Sequence, residues 1–273
     1  MADPIDYIRL QEAGTAVNLA IAAFLIVTLT LRFLVRRGSV KLHYFFLLAS
    51  SVFALIEFAV TEGAHNIIDS SGLILAITIL DGLSTACIVL TAVLALRQFT
   101  VSYLKGPSSI VDSMLGIAAL ACLAGVVIAG FYGRSLTYEY VTSQVGLLWT
   151  IRMWIFFALW VWLVLVLLVI RIANYNKIPL HDDNRSTTIK TFGLIALYIV
   201  MNFVFFLYVV IEAYLPTPDN GDDTKLYALL VANEVLNAIL FRLSALLFVF
   251  FYDELSVMEP VPSKRDTYEE HEF

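Results

Sequence analysis

The chain has 273 residues, of which 60% are apolar and 15% charged, with a formal net charge of −6 at pH 7. Proportions this far from those of soluble domains exclude a water-soluble globular protein, and the lack of a basic face excludes nucleic acid as a partner. What remains is an integral, multi-pass membrane protein whose first partner is membrane lipid, with nothing in the composition to select a particular membrane.

Seven apolar runs follow one another at 14–35, 43–63, 72–96, 110–131, 146–171, 189–214 and 226–251. Roughly 20 helical residues cross the hydrocarbon core, so each run is long enough to span it. No alternating strands of a barrel are visible, and backbone groups in lipid need internal partners. The runs therefore predict an all-α fold, a seven-transmembrane-helix bundle over 1–252 followed by a short acidic tail over 253–273. Basic residues cluster after the first run (Arg32, Arg36, Arg37, Lys41), after the third (Arg97, Lys105) and between the fifth and sixth (Arg171, Lys177, Arg185, Lys190). The N-terminal segment and the other connections hold only Arg9, Arg134 and Lys225, so the positive-inside rule predicts N-out, C-in topology. The sequon Asn184-Arg185-Ser186 then faces the cytosol and stays unglycosylated.

The first run has no basic segment ahead of it and no small-residue cleavage site behind it, and is expected to be a retained anchor. In the second, Ser50, Ala54, Glu57 and Thr61 share one helical face, and in the third Thr78, Asp81, Ser84 and Thr85 do the same. The fourth repeats Ala121, Gly125 and Ala129 at four-residue spacing, a stripe that suits close internal packing better than a dimer face, so no oligomer is predicted from it. The fifth carries Arg152 among Trp149, Trp154, Trp160 and Trp162. Asn18 on the first run and Asn202 on the sixth extend the polar set, and the seventh adds Asn233, Glu234 and Asn237 on one face. Arg242, lower on the seventh, is expected to snorkel to the cytosolic headgroups. None of the seven prolines lies within a run, which predicts unbroken helices and argues against a discontinuous-helix transporter.

Orientation and a rise of about 1.5 Å per residue set Glu57, Asp81, Arg152 and Glu234 in one layer, roughly 9 to 13 Å below the outer end. Ionisable groups at that depth cost on the order of 2.5 to 3.5 kcal/mol each, so they are expected to face inward and find partners. Three carboxylates surround one guanidinium, and Arg152 can satisfy one or two of them, leaving a carboxyl that holds its proton near neutrality. The bland alternative is a network that only fixes helix register.

Every Lys lies at a helix end or in a loop, so no intramembrane Schiff base is available and retinal is not expected. His43, His65, His181 and His271 fall outside the apolar cores, so neither an intramembrane zinc site nor a bis-histidine haem site has ligands. Cys87 and Cys122 both sit inside runs and read as small buried hydrophobes. No cofactor and no metal is expected.

In outline, seven spans with the N-terminus outside and a polar pocket in the outer half resemble the G-protein-coupled receptor class. The match ends at outline: Leu96-Arg97-Gln98 lacks the acidic and Tyr neighbours of the rhodopsin-like family, and Phe251-Tyr252-Asp253 has no Asn-Pro before it. That resemblance implies a receptor or sensor binding a small, largely apolar ligand through Glu57, Asp81, Arg152, Asn202, Glu234 and Asn237. Acid on the second and seventh runs also looks like the small membrane-bound terpene cyclases of fungi, with Ile56 in the position where that family commonly has Trp. It implies an intramembrane enzyme with Glu57, Asp81 and Glu234 as candidate general acids on a lipophilic substrate. A proton-coupled carrier is the third expectation, since acids at mid-depth suit a relay.

Overall fold

A computed structural model of the chain describes residues 4–35, 42–63, 71–104, 108–137, 142–173, 184–214, 231–232 and 235–256. Among these residues the structure is all-helical: α1 (Pro4–Val35), α2 (Leu42–Gly63), α3 (Ser71–Leu104), α4 (Ser108–Thr137), α5 (Thr142–Ala173) and α6 (Asn184–Tyr214) precede α7. This last helix is α-helical where described over 231–232 and 235–236, passes through a π-helix over Asn237–Leu243 and continues as an α-helix over Ser244–Ser256. Residues 233–234 and the tail from residue 257 onward, which include Glu234, lie outside the described residues.

Each helix encloses or overlaps the apolar run predicted for it, and several run further, α1 starting at residue 4 rather than 14 and α3 ending at 104 rather than 96. Hydropathy stops at the first charges, whereas the backbone ladder continues into the interface. Four helices open on Ser71, Ser108, Thr142 or Asn184, residue types that favour helix starts. Five helices carry stretches long and apolar enough to cross a membrane: Ala13–Leu34, Leu42–Val60, Leu75–Val101, Thr150–Ile172 and Thr188–Glu212. The other two hold shorter apolar stretches, Gly116–Gly130 in α4 and Asn237–Phe251 in α7. These helices fit a multi-pass membrane protein.

The helices pack in ring order, α1 on α2, α2 on α3, and so on to α6 on α7, with α7 returning to α1. Inside the ring α3 also touches α5 and α6, and 72% of its apolar window is buried against 22% for that of α1, so α3 is the central helix. Paired contacts show α2 and α3 running in opposite directions: Ser50 Oγ and Ser84 Oγ share a hydrogen bond of 3.0 Å, and Thr91 Oγ1 donates to the His43 carbonyl at 3.3 Å. On the other side, Asn202 Nδ2 donates to Ser244 Oγ at 3.1 Å and the rings of Tyr198 and Phe248 lie 5.0 Å apart, so α6 and α7 are antiparallel too.

The core is aromatic, and Trp160, Tyr198, Phe156 and Phe248 are its largest fully buried side chains. Lipid tails are as apolar as the core, so it holds by close packing and interhelical hydrogen bonds rather than by escape from water. Small residues bring α4 into contact with its neighbours. A Cβ on Gly125 would lie 2.7 Å from Phe156 Cζ of α5, and one on Gly82 of α3 would lie 3.1 Å from the Ala129 Cβ. The Ala121, Gly125 and Ala129 stripe is thus internal packing, while Ile117, Leu120 and Leu123 turn outward.

Two expectations fail here. The seventh helix is not regular: the π-helical segment Asn237–Leu243 contains no proline, so the sequence carries no signal for it. Histidine 43, expected outside the apolar core, is 2% exposed, with its ring 5.9 Å from Phe248 in an edge contact and 4.2 Å from its neighbour Tyr44. A histidine one residue into a span on the inward face of α2 is covered by α7, which depth along the sequence alone cannot reveal.

Candidate functional site

Asp81 on α3 and Arg152 on α5 form an ion pair, Arg152 Nη2 donating to Asp81 Oδ2. The two chains meet because α3 is central and touches α5 directly beside α4, whose small residues let the flanking helices close in. The pair is asymmetric. Arg152's side chain is 13% exposed and Asp81's is 41%, so the guanidinium is covered and the carboxylate is presented. Asp81 lies six residues inside Leu75–Val101, roughly 9 Å of rise, and Arg152 only two inside Thr150–Ile172. Glu57 lies three residues from the far end of Leu42–Val60. With α2 antiparallel to α3, Glu57, Asp81 and Arg152 fall toward one end of the bundle.

Of the carboxylates expected to compete for Arg152, Asp81 is its described partner; Glu57 is half-buried on α2, and Glu234 lies outside the described residues. The polar stripes of α2 and α3 meet a turn or two deeper. Ser84 Oγ reaches both Ser50 Oγ, at 3.0 Å, and the Ser50 carbonyl, at 3.2 Å. Thr78 instead turns its hydroxyl back to its own helix, donating to the Leu75 carbonyl at 3.0 Å. Asn18 of α1 is fully buried.

Asn202 sits apart from the charged layer. It lies ten residues from the end of Thr188–Glu212, roughly 15 Å of rise, and is fully buried. Its Nδ2 donates to the Tyr198 carbonyl at 2.7 Å and to Ser244 Oγ at 3.1 Å, while Ser244 Oγ donates to the Phe241 carbonyl at 2.9 Å. The result is a clasp between α6 and the point where α7 passes from π- to α-helix.

Arg242, expected to snorkel, is instead 5% exposed, with its guanidinium carbon 5.0 Å from the Phe241 ring centroid and 5.9 Å from that of Phe58 on α2. The wider turn of the π-helix shifts the phase of the residues around it, and Arg242 faces the aromatic interior rather than the rim of the bundle. A desolvated cation over aromatic faces gains about 2 kcal/mol. Depth along the run missed this second buried base, because depth does not say which face of α7 Arg242 occupies. The tryptophans divide: Trp160 is fully buried against Phe206, its ring centroid 6.0 Å away, and Trp154 is 42% exposed. Both Cys87 and Cys122 are buried free thiols, as expected for small packing groups.

Compared with known proteins, the chain matches no family model and no curated protein.

Proposed function

We propose that the protein is a seven-helix, N-out/C-in integral membrane protein of receptor or sensor type, whose charged layer binds a small, largely apolar ligand carrying one polar group. The observation that carries this reading is the Asp81–Arg152 pair, in which a covered guanidinium holds a carboxylate that remains 41% accessible. An ion pair serving only to fix helix register is best sealed on both sides; one with a presented acceptor suits a visiting hydrogen-bond donor. Glu57, toward the same end of the bundle, would line that approach, and Glu234 and Asn237 belong to the same reading from the sequence. Asp81 already accepts from Arg152, which suits holding a ligand more than delivering a proton, so acid catalysis would fall to Glu57 or Glu234.

Native mass spectrometry of the protein released from mild detergent tests binding. A stoichiometric lipophilic adduct that survives removal of bulk lipid is the expected result, and a bare chain or a ladder of phospholipids alone contradicts it. Topology is tested independently with epitope tags at each end. An N-terminal tag should stain in intact cells and a C-terminal tag only after permeabilisation; a glycan on Asn184 would reverse the orientation.

A further inference from the structure

The seam between α6 and α7, with Trp160 of α5 packed beside it, holds buried polar atoms that the fold does not account for. Trp160 Nε1, Tyr198 Oη, Asn202 Oδ1 and Asn237 Oδ1 are shielded from solvent and have no hydrogen-bond partner among the described residues. Trp160, Tyr198 and Asn202 are themselves at most 1% exposed. Buried polar atoms are nearly always partnered, so a group of four in one region needs an explanation. The four share that region: Tyr198 and Asn202 are one turn apart on α6, Asn202 is clasped to Ser244, and Trp160 packs on Phe206, one turn further along the same face. Asn237 begins the π-helical segment that borders the seam, and irregular turns of this kind often occur where a helix makes room for something between its neighbours.

The chemistry of the four atoms selects the guest. The indole N–H only donates, the two amide oxygens only accept, and the phenol does both. A cation would satisfy the oxygens and repel the N–H, an anion would do the reverse, and hydrocarbon would satisfy none. A small neutral molecule that donates and accepts meets all of them, and water typically makes two to four such bonds at buried sites. We infer that the α6–α7 seam binds a short file of ordered water molecules, held by Asn237, Trp160, Asn202 and Tyr198. From Asn237 to the level of Tyr198, marked by Phe248, the file covers roughly 15 Å of helix, about half of the hydrocarbon thickness. This inference stands apart from the ligand reading and survives its failure.

Hydroxyl-radical footprinting by X-ray radiolysis of the full chain in lipid nanodiscs tests it, because radicals form at bound water as well as in bulk. Tyr198 and Trp160 should be oxidised several-fold faster than the equally buried Phe248 and Phe156 after correction for intrinsic reactivity. Tyr198→Phe supplies the second reading. If the hydroxyl is bonded to water, the variant melts at or below the wild-type temperature; if it is dry and unbonded, its removal raises the melting temperature by about 2 °C or more. Labelling contrast with no rise in melting temperature is the expected outcome, and either the loss of that contrast or a rise overturns the water file.

Discussion

Arg152→Met should destabilise the folded bundle by roughly 3 kcal/mol, and adding Asp81→Leu should restore most of that loss. The arginine is the described partner of Asp81, and its removal leaves a carboxylate inside an apolar span with no counter-charge. The magnitude sits at the low end for breaking a buried pair because Asp81 is 41% accessible rather than sealed in the core. Replacing both partners with apolar side chains removes the uncompensated charge. Glu57→Leu or Glu234→Leu in the Arg152→Met background should leave the deficit in place. Thermal unfolding of the purified proteins in one detergent reads the cycle. Rescue by Glu57→Leu in place of Asp81→Leu would mean that Arg152 serves helix α2 instead.

A comparable loss, about 3 kcal/mol, is expected for Gly125→Val, for a different reason. Even a single Cβ at this position would come within 2.7 Å of Phe156 Cζ and 2.8 Å of its Cε2, so a branched side chain must displace a fully buried ring. That ring also lies 6.3 Å from Phe206, and the disturbance passes from the α4–α5 contact into the aromatic core. Gly116→Ala is the matched control: nothing lies within 4 Å of its Cβ, so the change should be neutral or slightly stabilising through helix propensity. The same unfolding assay separates them, and equal melting temperatures for the two variants would show that α4 is not wedged against α5.

Periodicity and depth carried much of this architecture, and their limits are physical. The inward faces of α2 and α3 follow from residues recurring at helical spacing, and they meet as expected at Ser50 and Ser84. The small-residue stripe of α4 was legible as a close approach because only Gly and Ala permit it, and Gly125 against Phe156 is that approach. What one helix's sequence does not contain is the identity of its neighbour. From the sequence Asp81, Glu57 and Glu234 are equal candidates for Arg152, and helix adjacency puts Asp81 of α3 beside α5. The π-helical segment inside α7 has no proline to announce it, and Arg242 within it is buried on Phe58 and Phe241 rather than at the expected rim position. His43 was misplaced for a related reason, since a position near a helix end can still be covered by another helix, here by Phe248 of α7.

The central claim is that the Asp81–Arg152 layer is a working site and not only a brace between α3 and α5. Stability alone cannot distinguish these, because both expect the Arg152→Met, Asp81→Leu double variant to fold. The decisive measurement is native mass spectrometry of that double variant beside the wild type, prepared from the same cells at equal folded yield. The account predicts a lipophilic adduct on the wild type and its loss from the double variant. An adduct retained at the same occupancy after both charges are gone would contradict the claim and leave the pair as packing.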